Sequence, residues 1–235
     1  MSRHDSAGHR CPDCRMHRSL CICGLLPRLT TRTRLLLVLH QLEARKTTNT
    51  GRIAALCLAG SQVVVRGRDD QQARQPATEA SRAGQPLWAR DSQPVLLFPH
   101  ESAQPIGAWR ESEKPVTLIV PDGTWSQAIR ARRRIKGLDQ VPCARLPETP
   151  LPEAARYSLR HDARPGHLST LAAIAIAMGE LEGPAVRSVL ERVLSIMVDR
   201  TLWTNGRIKA EDVTGGIPEG AESHDPWGRG QRGVV

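Results

Sequence analysis

Val116 to Arg133 reads VTLIVPDGTWSQAIRARR, and the change of rhythm inside it decides the fold. Val116 to Val120 is a short apolar, β-branched run with the composition of a strand. Pro121 is expected to end that strand, and Asp122-Gly123-Thr124-Trp125 makes a tight polar turn. A helical pattern follows, with Ser126 as its expected N-cap and Gln127-Ala128-Ile129-Arg130 continuing it. A strand that runs through a turn into a helix places the turn at the carboxyl edge of a sheet, where open α/β proteins bind their ligands. Asp122, Thr124 and Trp125 are therefore the candidate catalytic residues. The plainer alternative is that Asp122 caps the helix and Trp125 packs beneath it.

The same rhythm repeats on both sides. Thr33 to Leu39 becomes continuously apolar, as a strand buried on both faces of a parallel sheet does. It leads through His40-Gln41-Leu42-Glu43 and a polar loop, Arg45 to Arg52, into the helical run Ile53 to Leu58. Gln62 to Val65, Pro94 to Phe98 and Cys143 to Leu146 read as further strands. Arg66 to Gln93 is polar and weakly periodic, a surface helix or a loop, and Pro147 to Pro152 is a Pro-rich loop. Leu171 to Met178 predicts a helix apolar on most faces, and Val186 to Leu202 an amphipathic one. From Gly215 onward, Gly, Pro and charge predict disorder. The expected class is α/β, a mostly parallel sheet with flanking helices.

The chain has 235 residues, 40% of them hydrophobic and 24% charged, enough for a sizeable core. With five Trp, one Tyr and one Phe, that core must rest on aliphatic side chains. The net charge is +9, from 33 basic and 24 acidic residues, which favours a polyanionic partner. The densest basic cluster, Arg130 to Lys136, leaves the Asp122 turn on the same helix. Arg130, Arg132, Arg133, Arg134 and Lys136 are candidate phosphate-contacting, nucleic-acid-binding residues, against the ordinary meaning of a solvated face. The loop Asn49-Thr50-Gly51-Arg52 stands at a helix N-terminus, the usual setting for an anionic group, or for a capped helix with solvated cations. No P-loop pattern occurs. There is no apolar run of about 18 residues to span a membrane, and the N-terminus lacks the apolar region of a secretory signal. A cytoplasmic protein is expected, and a monomer, since no coiled-coil or exposed apolar stripe stands out.

Four of the six cysteines fall in a C-x2-C-x6-C-x-C arrangement, Cys11, Cys14, Cys21 and Cys23. Crowded thiols in a reducing compartment point to a closed, structural zinc site, with a redox pair or an iron–sulfur site as alternatives. Cys57 and Cys143 stand alone and read as core residues.

Together these residues resemble the DTW-domain family, named for the Asp-x-Thr-Trp motif that stands here as Asp122-Gly123-Thr124-Trp125. The family's cysteine set is similar to Cys11, Cys14, Cys21 and Cys23. Its Asn-Thr-Gly-Arg element resembles Asn49-Thr50-Gly51-Arg52, and its Leu-Phe-Pro element Leu97-Phe98-Pro99. Arg156-Tyr157 and Leu168-Ser169-Thr170 match the later elements. The resemblance runs from about Arg10 to Leu202. One departure is that Ala172-Ala173 stands where the family is expected to carry Glu-Ala. The organisation implied is an N-terminal zinc element at 1–30, a transferase domain at 31–205 and a disordered tail at 206–235. The implied fold is SPOUT-like, similar to the knotted methyltransferases.

The resemblance also implies a reaction: transfer of the 3-amino-3-carboxypropyl group of S-adenosylmethionine to a uridine ring nitrogen in tRNA, releasing methylthioadenosine. In that chemistry Asp122 would act as base or hold the uridine imide, Trp125 would stack on an exposed base, and Thr124 would donate a hydrogen bond. Asn49 to Arg52, Leu97-Phe98-Pro99 and Leu168-Ser169-Thr170 are the candidates for holding S-adenosylmethionine. The rival readings are methyl transfer by the same fold, modification of ribosomal RNA, and a zinc-containing RNA-binding protein without catalysis.

Overall fold

Residues 9–67, 86–148 and 168–225 are described by a computed structural model. The strands are β1 (Arg34–His40), β2 (Gln62–Arg66), β3 (Gln93–Leu97), β4 (Gln104–Pro105), β5 (Val116–Asp122) and β6 (Cys143–Arg145). The helices are α1 (Gln41–Ala44), α2 (Gly51–Cys57), α3 (Trp125–Arg134), α4 (Thr170–Glu182) and α5 (Pro184–Thr204). One six-stranded sheet runs in the order β2-β1-β5-β3-β6-β4. Every pairing in it is parallel.

The central strands β1 and β5 are apolar at almost every position because both sheet faces are covered. Alternate residues serve two cores. Leu35, Leu37 and Leu39 of β1, with Val116, Leu118 and Val120 of β5, face a large core that also takes in α2, α4 and α5. Leu36 and Val38 of β1, Leu96 of β3 and Ile119 of β5 face a smaller core closed by Ala128 of α3, Ile135 and Leu138. Gly183 lets α4 turn directly into α5: its φ of +108° suits glycine, and Pro184 then opens the second helix.

Two local expectations are corrected. Pro121 does not end β5, which continues through Pro121 to Asp122. Pairing with β3 stops at Leu96–Ile119, whereas pairing with β1 continues to Leu39–Asp122. Pro121 therefore sits where β5 has become an edge, and an edge tolerates a residue without an N–H. The cap of α3 is Thr124, not Ser126: its hydroxyl accepts from the Gln127 N–H at 3.4 Å, and Gln127 Oε1 accepts from the Thr124 N–H at 2.8 Å. That reciprocal pair satisfies two exposed donors at once.

The cysteine stretch shares the large core: Cys11, Cys14, Met16, Leu20 and Ile22 pack in one cluster with α4 and α5. Disorder is predicted from Gly215, but the described part of that segment, up to Asp225, packs against the core. Val213 and Ala221 are buried and Ile208 and Ile217 lie against the large core, so this segment has apolar surface to bury. His224 Nε2 lies 3.2 Å from His17 Nδ1. Arg156-Tyr157, Arg164 to His167, most of the polar stretch after Arg66 and the last ten residues lie outside the described residues. No helix among the described residues is long and apolar enough to cross a membrane.

Candidate functional site

Asp122 is the last residue of β5 and is only 5% exposed. Its Oδ2 accepts from Asn49 Nδ2 at 2.7 Å and its Oδ1 from Thr170 Oγ1 at 2.9 Å. Asn49 in turn receives the Arg52 N–H on its Oδ1 at 3.0 Å, and Thr50 Oγ1 accepts the Leu171 N–H at 3.2 Å. Two helix starts, those of α2 and α4, are thereby tied to the tip of β5. Gly51 makes this junction possible, since a Cβ there would collide with the Asp122 carboxylate and lie 3.0 Å from Thr170 Cγ2. Ser169 caps α4, accepting the Ala172 N–H at 3.2 Å. Both oxygens of Asp122 therefore accept bonds from the protein.

Trp125 begins on the same turn but belongs to the other sheet face. It stacks on Phe98 with ring centroids 4.7 Å apart and planes 8° from parallel. Phe98 is buried at 5% exposure, while Trp125 is 55% exposed, so one ring is a fixed support and the other an open platform. A cavity of about 380 Å³ lies here, lined by Phe98, Pro99, His100, Glu101, Trp125, Ile129, Arg132 and Arg133. Arg133 is exposed, and Arg132 is held by a bond from its Nη2 to the Asp139 carbonyl at 3.4 Å. Arg130, Arg134 and Lys136 are exposed around this helix, with Lys136 beyond its end. His100, Glu101 and Ile129 were not among the residues the sequence marked out; only their nearness to Phe98 and Trp125 in the chain pointed to them.

Phe98 and Thr170, both candidates for holding one ligand, stand toward different faces of the sheet. Alternation along the strands decides it: Phe98 follows Leu96 into the smaller core, whereas Asp122 follows Val116, Leu118 and Val120 toward the face of α2 and α4. Leu97 and Leu168 are half-buried against the large core. Among the described residues, Asp122 at the carboxyl edge of the sheet also borders a small cavity lined by Gln127, Ala128 and Ala131 of α3.

The four cysteines form a third cluster. Their sulfur atoms all lie within 4.8 Å of one another, with Cys11–Cys23 at 3.6 Å and Cys14–Cys21 at 3.7 Å. A tetrahedron of thiolates about 2.3 Å from zinc has edges of roughly 3.8 Å, so the set fits a closed four-sulfur metal site. Burial pushes the Cys14 and Cys23 thiols up. Burial also raises Cys11, but hydrogen bonds from the backbone of Cys14 and Asp13, together with those from the Cys21 and Cys23 side chains, outweigh it and bring that thiol down to about 7. Arg52 links this centre to the first cluster. Burial, and then the charge of Arg15, hold its guanidinium below the ordinary value, with Asp13 of the cysteine loop acting in the opposite sense. Cys57 is a buried core thiol, pushed up to about 12 by burial. Cys143 is likewise buried, in the smaller core.

The DTW domain family matches residues 8–202, a span that takes in all three clusters. The chain belongs to the DTW-domain family. A relative in Drosophila melanogaster, tRNA-uridine aminocarboxypropyltransferase 2, is 26% identical over 205 residues, covering 86% of this chain and 78% of that protein. No solved structure matches the chain significantly. The family motif is thus divided by the sheet. Its Asp joins Asn49 and Thr170 on one face, its Thr caps α3, and its Trp joins Phe98 and the arginines on the other.

Proposed function

We propose that this DTW-domain protein transfers the 3-amino-3-carboxypropyl group of S-adenosylmethionine to a uridine ring nitrogen in tRNA, with methylthioadenosine as the by-product. The observation that carries this reading is the pairing, at one sheet edge, of a locked carboxylate with an open aromatic platform flanked by arginines. The name of the Drosophila relative supports the reaction class. The likeness to knotted methyltransferases, cytoplasmic placement and a monomeric state belong to the same reading.

In this reaction the uridine imide loses its proton to solvent water, the ring nitrogen forms a bond to the side-chain carbon next to sulfur, and that carbon–sulfur bond breaks with its electrons kept by sulfur. The protein's task is then to bring a cation and an RNA base together in line. Asp122 supplies a fixed negative charge. Both of its oxygens accept internal hydrogen bonds, so its work here is to orient Asn49 and Thr170 and to favour a sulfonium nearby. Gly51 leaves the backbone of the α2 start close to that charge. Trp125 offers its outer face to a base, Phe98 keeps the indole from tilting, and Arg132 and Arg133 meet the phosphates of the same strand. The Thr124 hydroxyl accepts from Gln127 and keeps its own proton to give. The cysteine cluster would hold zinc as a structural ion away from the reacting atoms, and it supplies no chemistry to the transfer.

Ala172 is 1% exposed inside α4, so a glutamate at this place would bury a carboxylate in the large core. The reading therefore rests on Asp122 and not on the missing side chain.

The test is nucleoside mass spectrometry of unmodified tRNA incubated with the protein and S-adenosylmethionine. The expected product is a uridine heavier by the aminocarboxypropyl group, with methylthioadenosine in equal amount. A methyl mass replaces the reaction but keeps the fold. Product on ribosomal RNA alone moves the substrate. RNA binding without any product leaves a zinc-containing RNA-binding protein.

A further inference from the structure

We propose that Arg200 is the buried counter-charge of the four-cysteine metal centre and sets how tightly that centre holds its ion. Arg200 lies on α5 and is only 3% exposed. It occupies a stripe otherwise made of Val193, Ile196, Met197 and Trp203, all buried and apolar. A cation at such a position is expensive unless something compensates it. No ion pair among the described residues includes it. Its Nη1 donates to the carbonyls of Leu20 at 3.2 Å and Cys21 at 2.8 Å, and its Nε is buried with no hydrogen-bond partner. Burial holds the guanidinium below its ordinary value, and the neighbouring Cys21 and Cys14 act in the opposite sense.

These observations share one explanation. Four thiolates around a divalent ion carry two net negative charges. The guanidinium is protonated under all ordinary conditions, and the Leu20 and Cys21 carbonyls hold it against the backbone that bears one of the ligands. Hydrogen bonding alone would ask only for a neutral donor at this place. The charge is what the cysteines require and what an apolar helix stripe would otherwise reject. Arg200 thus acts through the ligands, as a positioning and charge-balancing residue.

The test compares full-length wild type, R200K and R200M after zinc loading, using competition with a chromogenic chelator at fixed pH. Outer-shell partners typically alter metal affinity by about 10–100-fold. R200M is expected to lose zinc affinity in that range, whereas R200K, which keeps the charge and loses the fork, stays within about threefold of wild type. Cobalt gives a readout that loss of packing does not move. Removing the charge raises the energy of the sulfur electrons, so the sulfur-to-cobalt charge-transfer band shifts to longer wavelength in R200M and stays in place in R200K. If R200M does not fold, R200Q against R200K gives the same contrast. Equal loss of zinc in the charged and uncharged variants, unchanged zinc affinity in R200M, or a wild-type protein that takes up no zinc each overturn the proposal.

Discussion

The two ends of one four-residue motif live in opposite surroundings. Asp122 is buried and bonded on both oxygens, to Asn49 and Thr170, whereas Trp125 is more than half exposed and touches the protein mainly through one ring face. The first arrangement is costly to disturb, because each donor left without its acceptor is itself buried or half-buried. The second is cheap to disturb, because most of the indole already meets solvent. The difference teaches that a motif can serve the fold at one residue and a ligand at another, and that stability and binding should separate when the two are mutated.

Asp122 gives the largest effect. Asp122→Ala leaves the Asn49 amide and the Thr170 hydroxyl without their acceptor, at about 1–3 kcal/mol for each stranded group. A loss of about 2–6 kcal/mol in denaturant stability is expected, together with loss of turnover. Asp122→Asn keeps the volume but turns one acceptor into a donor facing another donor, so it should be nearly as damaging. If Asp122→Ala unfolds at the wild-type midpoint and only turnover falls, the carboxylate is a reacting group and its structural role is minor. Near-full turnover in a folded Asp122→Ala protein removes it from the reaction altogether.

Trp125 should show the reverse pattern. Trp125→Ala is expected to weaken tRNA binding by about 1–3 kcal/mol, roughly five- to 150-fold, as loss of one stacked base does. Its melting temperature should stay within a degree or two of wild type. A binding titration beside a thermal melt checks both halves. If Trp125→Ala loses stability but not RNA affinity, the indole is a lid on Phe98 and the cavity belongs to another ligand. Trp125→Phe, which keeps an aromatic face, should recover most of the affinity.

The alternation that separates these two sites was only half visible beforehand. Reading β5 from Val116 shows that even-numbered residues share a face, but nothing in one strand says which face of β3 Phe98 will join. That depends on strand order, which nucleates through contacts distant in sequence. The same is true of Pro121, which reads as a terminator until the pairing of β3 with β5 is seen to stop at Leu96. Other features were legible because they are local. The cysteine spacing brings the four sulfurs together as four residues in thirteen must. The central strands announce themselves by unbroken apolar runs. Other signals are present in the sequence but fainter. Gln127 stands three residues after Thr124, the capping-box distance, and this favours Thr124 over Ser126. Arg200 likewise falls at helical spacing on an apolar stripe, a mismatch that a periodicity count exposes.

Thr124 lies between the two regions and should behave like neither. Thr124→Ala removes a cap whose typical worth is about 1 kcal/mol. The expected loss of stability is of that size, smaller than for Asp122, with Thr124→Ser close to wild type because the hydroxyl remains. If turnover falls much further in Thr124→Ala than a one-kcal/mol loosening of α3 explains, and Thr124→Ser restores it, the hydroxyl's free proton reaches a substrate.

Arg133 gives the smallest effect and the finest test of the platform's partner. It is exposed at the cavity rim, so Arg133→Ala should leave stability unchanged and weaken tRNA binding only severalfold at physiological salt. The informative quantity is the salt dependence. Each phosphate neutralised contributes about 0.7–0.9 to the slope of log affinity against log salt, so losing one contact should flatten the slope by about that amount. Arg132→Ala should flatten it less, because its side chain is already tied to the Asp139 carbonyl. Trp125→Ala, which removes stacking and no charge, should lower the whole line without changing its slope. Parallel lines for Trp125→Ala and a flatter one for Arg133→Ala would assign base and phosphate to neighbouring walls of one cavity. An unchanged slope in Arg133→Ala would move the RNA backbone off this rim and leave the exposed Arg130, Arg134 and Lys136 to carry it.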